Sequence, residues 1–497
     1  MNNTLRRLIS AVLLSTTVLS LAACASDNGT AAQTTADTTV SASAETTEET
    51  TTAAETKPAV QVPDLPSKDW EGRRAMFLVK GPGQGNWESK EIWVPEENGE
   101  VVNDAVYARN LKMEERYNFK VAITGGDSLD SMARTVILAG DDDYDVVMPN
   151  MTQSANLANE KLTFDLYDVP YIDLDRDYYD QNSIRDLTIG GRLYFVTGEI
   201  AYQDQDGIWV TMFNKELAES YGIDDPYKLV RDGTWTVDRL IEMTSDVSRD
   251  IDGDGKMGIT DMWGFVSAYS TVSSMVYGAD IRIVTKNEKD LPELTFDHER
   301  IHTVLEKAIT LLETEDRSFM VDHFPGMGYN AYTLRDVFGG GLGLFYAEVL
   351  MHVKTMRWSN VTFGVVPFPK YDETIEGYPH FINAVGTMVN IPTTVADPEF
   401  SGFVVEAMSA EAMNLITPAY YDVALTGKYM RDDESAEMLD LIIGSAVYDL
   451  GHIFAWGGLS TSFTNLVKAK STDFASMYQS SSTSAQAQID KFIELHK

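Results

Sequence analysis

The chain has 497 residues, 76 acidic against 39 basic, a formal charge of −37 and one cysteine. An apolar fraction of 44% supports large cores and excludes a wholly disordered protein, and the length allows two or three domains or lobes. A single cysteine excludes a disulfide framework or a zinc site built on cysteine pairs, and an acidic chain without a basic cluster argues against nucleic acid as a partner.

In chain order, Arg6 and Arg7 precede an apolar run over residues 8–21. The run is too short to span a bilayer comfortably and predicts a signal peptide over 1–23. Ala22 and Ala23 then lead into Cys24, and the stretch LAAC resembles the lipobox of bacterial lipoproteins. That resemblance implies lipidation of Cys24 and an extracytoplasmic protein anchored to the cell membrane. Residues 25–60 carry eleven threonines and nine alanines and no aromatic residue, which predicts a solvated tether over 24–65.

The segment 73–80 (RRAMFLVK) reads as a strand followed by the loop GPGQGNW, whose glycines lack the spacing of a phosphate-binding loop. Asn103 or Asp104 can cap a helix reaching 117. A strand at 119–124, a helix at 128–139 and a buried strand at 145–148 complete an alternating pattern that argues for a parallel α/β layer. Further strands are expected at 192–196, 208–214, 342–347, 363–366 and 386–391. Helices are expected at 235–248 with Thr234 as N-cap, at 397–409 and 433–445, and at 474–495 with a break at its serine run.

Residues 250–261 (DIDGDGKMGITD) fit the spacing of an EF-hand calcium loop. The ligands would be the carboxylates of Asp250, Asp252 and Asp254, the Lys256 carbonyl and Asp261, with Gly255 making the sharp turn. MWGF follows and reads as a strand, so this is the loop without the second helix. One structural calcium is expected, pinning the preceding helix to the strand at Trp263. His298-Glu-Arg-Ile-His302 matches the zinc-peptidase spacing H-E-x-x-H. Its context argues against zinc: Asp297 reads as an N-cap, the motif falls in an exposed first turn, and Arg300 follows the glutamate.

Several phrases resemble the extracellular solute-binding proteins of ATP-binding-cassette importers, in the large group that binds sugars and oligosaccharides. They include VNDAVYARNLKMEERYNFKV, AGDDDYDVVMPN, GGRLYF with FNKELAESYG, DGTWTVDRLIEMTSDVSRDIDGDGKMGITDMWGF, FGVVPFPKYDE and YDVALTGKYMRDDESAEMLDLII. The resemblance implies an α/β, two-lobed periplasmic-binding-protein-like (type II) fold with a hinge, a ligand cleft between lobes, no catalytic residues, and permease subunits as partners of a monomer. By analogy one lobe takes 66–205 and 366–415, the other 206–365 and 416–497, with the first crossing near 203–209.

A carbohydrate cleft needs aromatic platforms and a few amides or carboxylates. Residues after strands or at crossings meet that description: Asn86 and Trp87, Asn150 and Thr152, Tyr202, Asp204 and Asp206 near the first crossing, then Tyr269, Tyr346, Glu348 and Trp456. Trp235 and Trp263 read as core, and Asp204 and Asp206 read equally as turn acids. Two rival readings remain at this point: a surface hydrolase, acting through His298 and His302 or through paired carboxylates, and a glycan-binding lipoprotein with no transporter.

Overall fold

The computed structural model describes residues 60–296, 298–314, 316–421 and 432–497. The signal segment, Cys24, the tether up to residue 59, Asp297 and the side chain of His298 lie outside the described residues.

The first sheet is built on β1 (Arg73–Lys80), whose carboxyl half is buried on both faces, as expected of a strand covered by helices on either side. β2 (Phe119–Gly126) pairs with it in parallel from Arg73↔Phe119 to Lys80↔Gly126, and β3 (Val146–Val147) lies parallel on the other side. Antiparallel bridges Val147↔Asn390 and Val196↔Val389 add two further lanes. Continuous strands were expected there, at 386–391 and 192–196. Here the pairing is confined to isolated bridges: β3 stops after two residues and offers Asn390 a single partner in Val147, while Thr387 and Val389 bridge to Asn150 and Val196.

The helix Val101–Tyr117 starts two residues before the expected cap. Asp104 instead accepts from the Asn98 N–H at 2.9 Å and ties down the preceding loop. Asn118, in the left-handed region at φ 53°, ends the helix. Val106, Met113 and Tyr117 face inward, and Tyr117 meets Phe403 edge-on at 4.9 Å. Phe403 belongs to the helix Pro398–Pro418, which ends nine residues later than expected and also receives Trp70 against Phe400 and Phe403.

The second sheet contains β4 (Trp209–Asn214) and β5 (Trp263–Ser267). After a short antiparallel pair, β6 (Val284–Lys286) and β7 (Pro292–Leu294), come β8 (Ser318–Met320), β9 (Gly343–Val349) and β10 (Phe363–Pro367). The order is β10-β4-β9-β5-β8; β4 runs antiparallel to both neighbours and the remaining pairs are parallel. Every residue of β4, β9 and β10 is buried. A last pair, β11 (His380–Phe381) with β12 (Ala446–Val447), is parallel.

Trp235 is fully buried and donates from Nε1 to the Pro367 carbonyl at 2.8 Å, so the helix it was expected to open begins later, over Val237–Met243, with Thr236 as N-cap. The helix Phe474–Leu495 is continuous through its serine run. Those serines lie on its outer side, while Ala485, Ile489 and Phe492 keep the buried face in phase.

The long helix approaches the 165–170 segment closely at Gly402, where an added Cβ would sit 2.0 Å from the Pro170 carbonyl oxygen. Alanine normally favours a helix over glycine, but here it has no room. Gly402→Ala is expected to destabilise the protein by about 1–3 kcal/mol, read as a lower urea midpoint at unchanged slope.

Candidate ligand-binding site

Two described segments carry the chain between the sheets: Glu199–Gly207, which enters β4, and residues 368–386, which leave β10. The first is a run of 3₁₀ turns kinked at Ala201, where φ is −121° and ψ is 46°. The kink buries Tyr202, Gln203, Asp204 and Asp206 together. Asp206 accepts from the Tyr420 hydroxyl at 2.6 Å and pairs with Lys354. Tyr202 packs on Tyr420 with ring centroids 4.7 Å apart, and the Lys354 ammonium lies 5.0 Å from the Tyr420 ring centre.

These residues back a cavity of ≈ 360 Å³. The loop after β1 contributes Asn86, Glu88 and Lys90, and the start of the helix Val101–Tyr117 contributes Asn103. From the second sheet come Met351, Lys354 and Thr355, which follow β9. Gln203 joins the walls by donating to the Glu88 carbonyl at 3.0 Å. Asn86 reaches across, its Nδ2 3.2 Å from Met351 Sδ and 3.4 Å from the Tyr332 hydroxyl. Both sheets therefore meet over this cavity.

A layer of buried charge lies behind the loop. Lys80 donates to the Val385 carbonyl at 2.6 Å, and burial lowers its pKa to about 8. Burial raises Glu91 to about 7 and lowers Arg109 to about 9, while each one's charge favours the ionised form of the other. Burial also holds the Tyr202 and Tyr420 hydroxyls far above the ordinary tyrosine value, so both remain neutral donors. Aromatic rings, amides and hydroxyls around a cavity this size can cover an apolar ring and exchange hydrogen bonds with several hydroxyl groups.

Of the residues singled out from sequence, Asn86 and Tyr202 are on the wall, and Asp206 lies behind it under Lys354. Trp87 is half-buried beside them, 5.8 Å from the Lys80 ammonium. Asn150 is occupied in a capping box with Gln153, and Thr152 sits half-buried on the next turn. Asp204 is buried, accepts from Thr197 at 2.9 Å and from the Gln205 N–H at 2.7 Å, and is held well above the usual carboxylate range by burial. Tyr269 donates to Glu313 and lies under Lys468. Tyr346 is buried with its hydroxyl 2.6 Å from His352 Nδ1. Trp456 is buried and stacked on Phe454 at 4.7 Å. Gln203, Lys354 and Tyr420 were missed. Lys354 ends a four-residue helix and Tyr420 follows a proline, and neither carries a pattern that marks a site.

In the acidic loop, the exposed Asp250, Asp252 and Asp254 each bring one carboxylate oxygen within 4.8 Å of the others. Asp250 accepts from the N–H groups of Gly253 at 2.6 Å and Gly255 at 2.8 Å, and Gly255 has the positive φ (80°) that the turn requires. The Lys256 N–H donates to Asp254 at 2.8 Å. Asp261 is buried and accepts from Ile251 at 2.8 Å and Gly258 at 2.7 Å, tying the loop's two ends together. Among the described residues this is the only group of three or more acids and histidines that converges in this way. His302, in the helix His298–Glu313, is half-exposed with Nε2 3.4 Å from Glu306 and Nδ1 3.3 Å from the Thr472 carbonyl.

No family model matches the chain, and no curated protein matches it. Solved structures do. The maltose/maltodextrin-binding domain MalE from Bdellovibrio bacteriovorus, bound to maltotriose, is 14% identical with a TM-score of 0.52, over 85% of this chain and 100% of that one. An ABC substrate-binding protein from Listeria monocytogenes in complex with cycloalternan is 11% identical with a TM-score of 0.52, over 86% and 99%. A sugar transporter from Rhizobium etli in an open conformation is 15% identical with a TM-score of 0.53, over 85% and 98%. The fold is thus the two-lobed α/β fold of periplasmic binding proteins. Among the described residues no helix is long and apolar enough to cross a membrane.

Glu348, buried near the end of β9, accepts from the Val349 N–H at 3.1 Å, and burial raises its pKa from 4.5 to about 7. A carboxyl group raised in the folded state contributes its stability in full below 4.5 and loses it as pH climbs through 7. Glu348→Gln is expected to flatten the fall in stability across that window, by on the order of 3 kcal/mol at most, in urea unfolding from pH 4 to pH 8.

Proposed function

We propose that the protein is a lipid-anchored, extracytoplasmic solute-binding protein that captures a carbohydrate between its lobes and delivers it to an ABC importer. The observation that carries this reading is the cavity at the crossing segment, walled by polar and aromatic groups from both sheets, in a fold whose solved examples include complexes with maltotriose and cycloalternan. On this reading the lobes are 66–205 with 366–415 and 206–365 with 416–497, and closure about the crossings encloses the ligand. The protein binds and releases its ligand unchanged; no catalytic group is assigned.

A thermal-shift screen of mono- and oligosaccharides on the chain lacking residues 1–60 is expected to find a sugar that raises Tm. Asn86→Ala should weaken that sugar roughly tenfold. Peptides that stabilise the chain while all sugars fail, or turnover of a glycan, would overturn the assignment.

We also propose a structural calcium in the loop 250–261, supported by the convergence of three aspartates. Metal analysis is expected to find one calcium per chain, and chelator should lower Tm. The lipid anchor at Cys24 rests on the sequence before it. Cys24→Ser is expected to move the protein from the membrane fraction to the soluble fraction; unchanged membrane retention would remove the anchor.

A further inference from the structure

The helix Ala331–Gly339 starts at the mouth of the cavity. Asn330 caps it by accepting from the Tyr332 N–H at 2.9 Å. Tyr332 is 45% exposed, stacks on His352 with centroids 6.1 Å apart, and touches the cavity residue Asn86 through its hydroxyl. One turn along the same face, Arg335 places its guanidinium carbon 5.1 Å from the Tyr332 ring and 5.7 Å from the Trp358 ring. Arg335 is itself neutralised by Asp336 at 2.6 Å.

Trp358 is 51% exposed. Its inner edge rests on Gly339, where an added Cβ would come within 2.8 Å of the ring. The glycine lets the indole lie against the helix while half of it stays in water. Beyond Trp358 a hollow of ≈ 570 Å³ is bounded by Asn214, Glu216, Gly341 and Asn360. Two half-exposed aromatic rings steadied by one guanidinium thus lead outward from the cavity mouth to a hollow edged by the exposed Glu216 and Asn360.

Isolated exposed apolar residues need no explanation, but two rings gathered about one guanidinium beside polar acceptors match the amphipathic faces of pyranose units. Glu216 and the neutralised Arg335 disfavour an anionic chain. We infer that this face is an outer subsite for the distal units of a neutral oligosaccharide whose near end occupies the cavity. The inference rests on the carbohydrate reading above and narrows it: the ligand is a chain, not a single sugar.

The test measures affinity by calorimetry for α-1,4-gluco, β-1,4-gluco, β-1,4-xylo and β-1,4-manno series of one to six units, on wild type, Trp358→Ala and Trp358→Phe. Wild type is expected to bind longer members of one series more tightly. Trp358→Ala should lose roughly five- to tenfold on four to six units and keep mono- and disaccharide affinity within about twofold. Trp358→Phe, with an unaltered Tm, should retain part of the long-chain gain and guards against a folding defect in the alanine variant. Equal affinity of wild type and variants for every length overturns the outer subsite and leaves the face to a protein partner. An equal loss at every length also overturns it, because the residue then acts through the cavity. Failure of wild type to bind any member defeats the carbohydrate reading itself.

Discussion

Asp206 is a carboxylate with 1% of its surface exposed, and the cavity is organised around its pairing. A charge buried this deeply persists only when it is paired and hydrogen-bonded, because desolvation costs several kcal/mol that a lost partner would leave uncompensated. Its partners come from two distant places, Lys354 beyond β9 and Tyr420 beyond the helix Pro398–Pro418. One carboxylate therefore fastens the crossing segment to both. Tyr202 then packs at a tilt against a ring whose hydroxyl is already committed, and Gln203 is left facing the loop after β1.

The direction of the strands decides what surrounds this floor. Ligands in α/β proteins sit beyond the carboxyl ends of strands, where loops are free to carry polar groups. The carboxyl end of β1 opens into the loop holding Asn86, Glu88 and Lys90, and that of β9 opens into Met351 and Lys354. The same geometry places Tyr332 at the rim, through His352 and Asn86. A cavity at the junction and an aromatic face running away from it are consequences of one arrangement of strand ends.

Desolvation also explains why so acidic a chain forms a site of mixed polarity. Burial raises Glu91 and Glu348 to about 7, so each carries only part of its charge at neutral pH, and burial also pushes Asp204 well above the usual carboxylate range. Arg109, fully buried, lies close enough to Glu91 for each charge to favour the other. The charge count of the sequence overstates the negative field at the cavity.

Strands with long apolar runs were legible because β4, β9 and the carboxyl half of β1 are buried on both faces and need no partner to announce themselves. The two-lobed fold was legible in the order of its phrases, and the acidic loop in its glycine spacing, with Gly255 taking the positive φ that spacing demands. The lanes at 192–196 and 386–391 were overcalled, since a strand's length depends on the neighbour that templates it. Of the site, sequence reached Asn86, Tyr202 and Asp206, which follow a strand or lie at a crossing. It also offered Tyr346 and Trp456, whose rings the fold spends on His352 and Phe454. By itself the sequence determined the local periods, the turns and which stretches must be buried. Only the tertiary structure decided that Lys354 and Tyr420 meet Asp206, because residues 148 and 214 positions away along the chain are brought to one carboxylate by packing, and no local pattern encodes that distance.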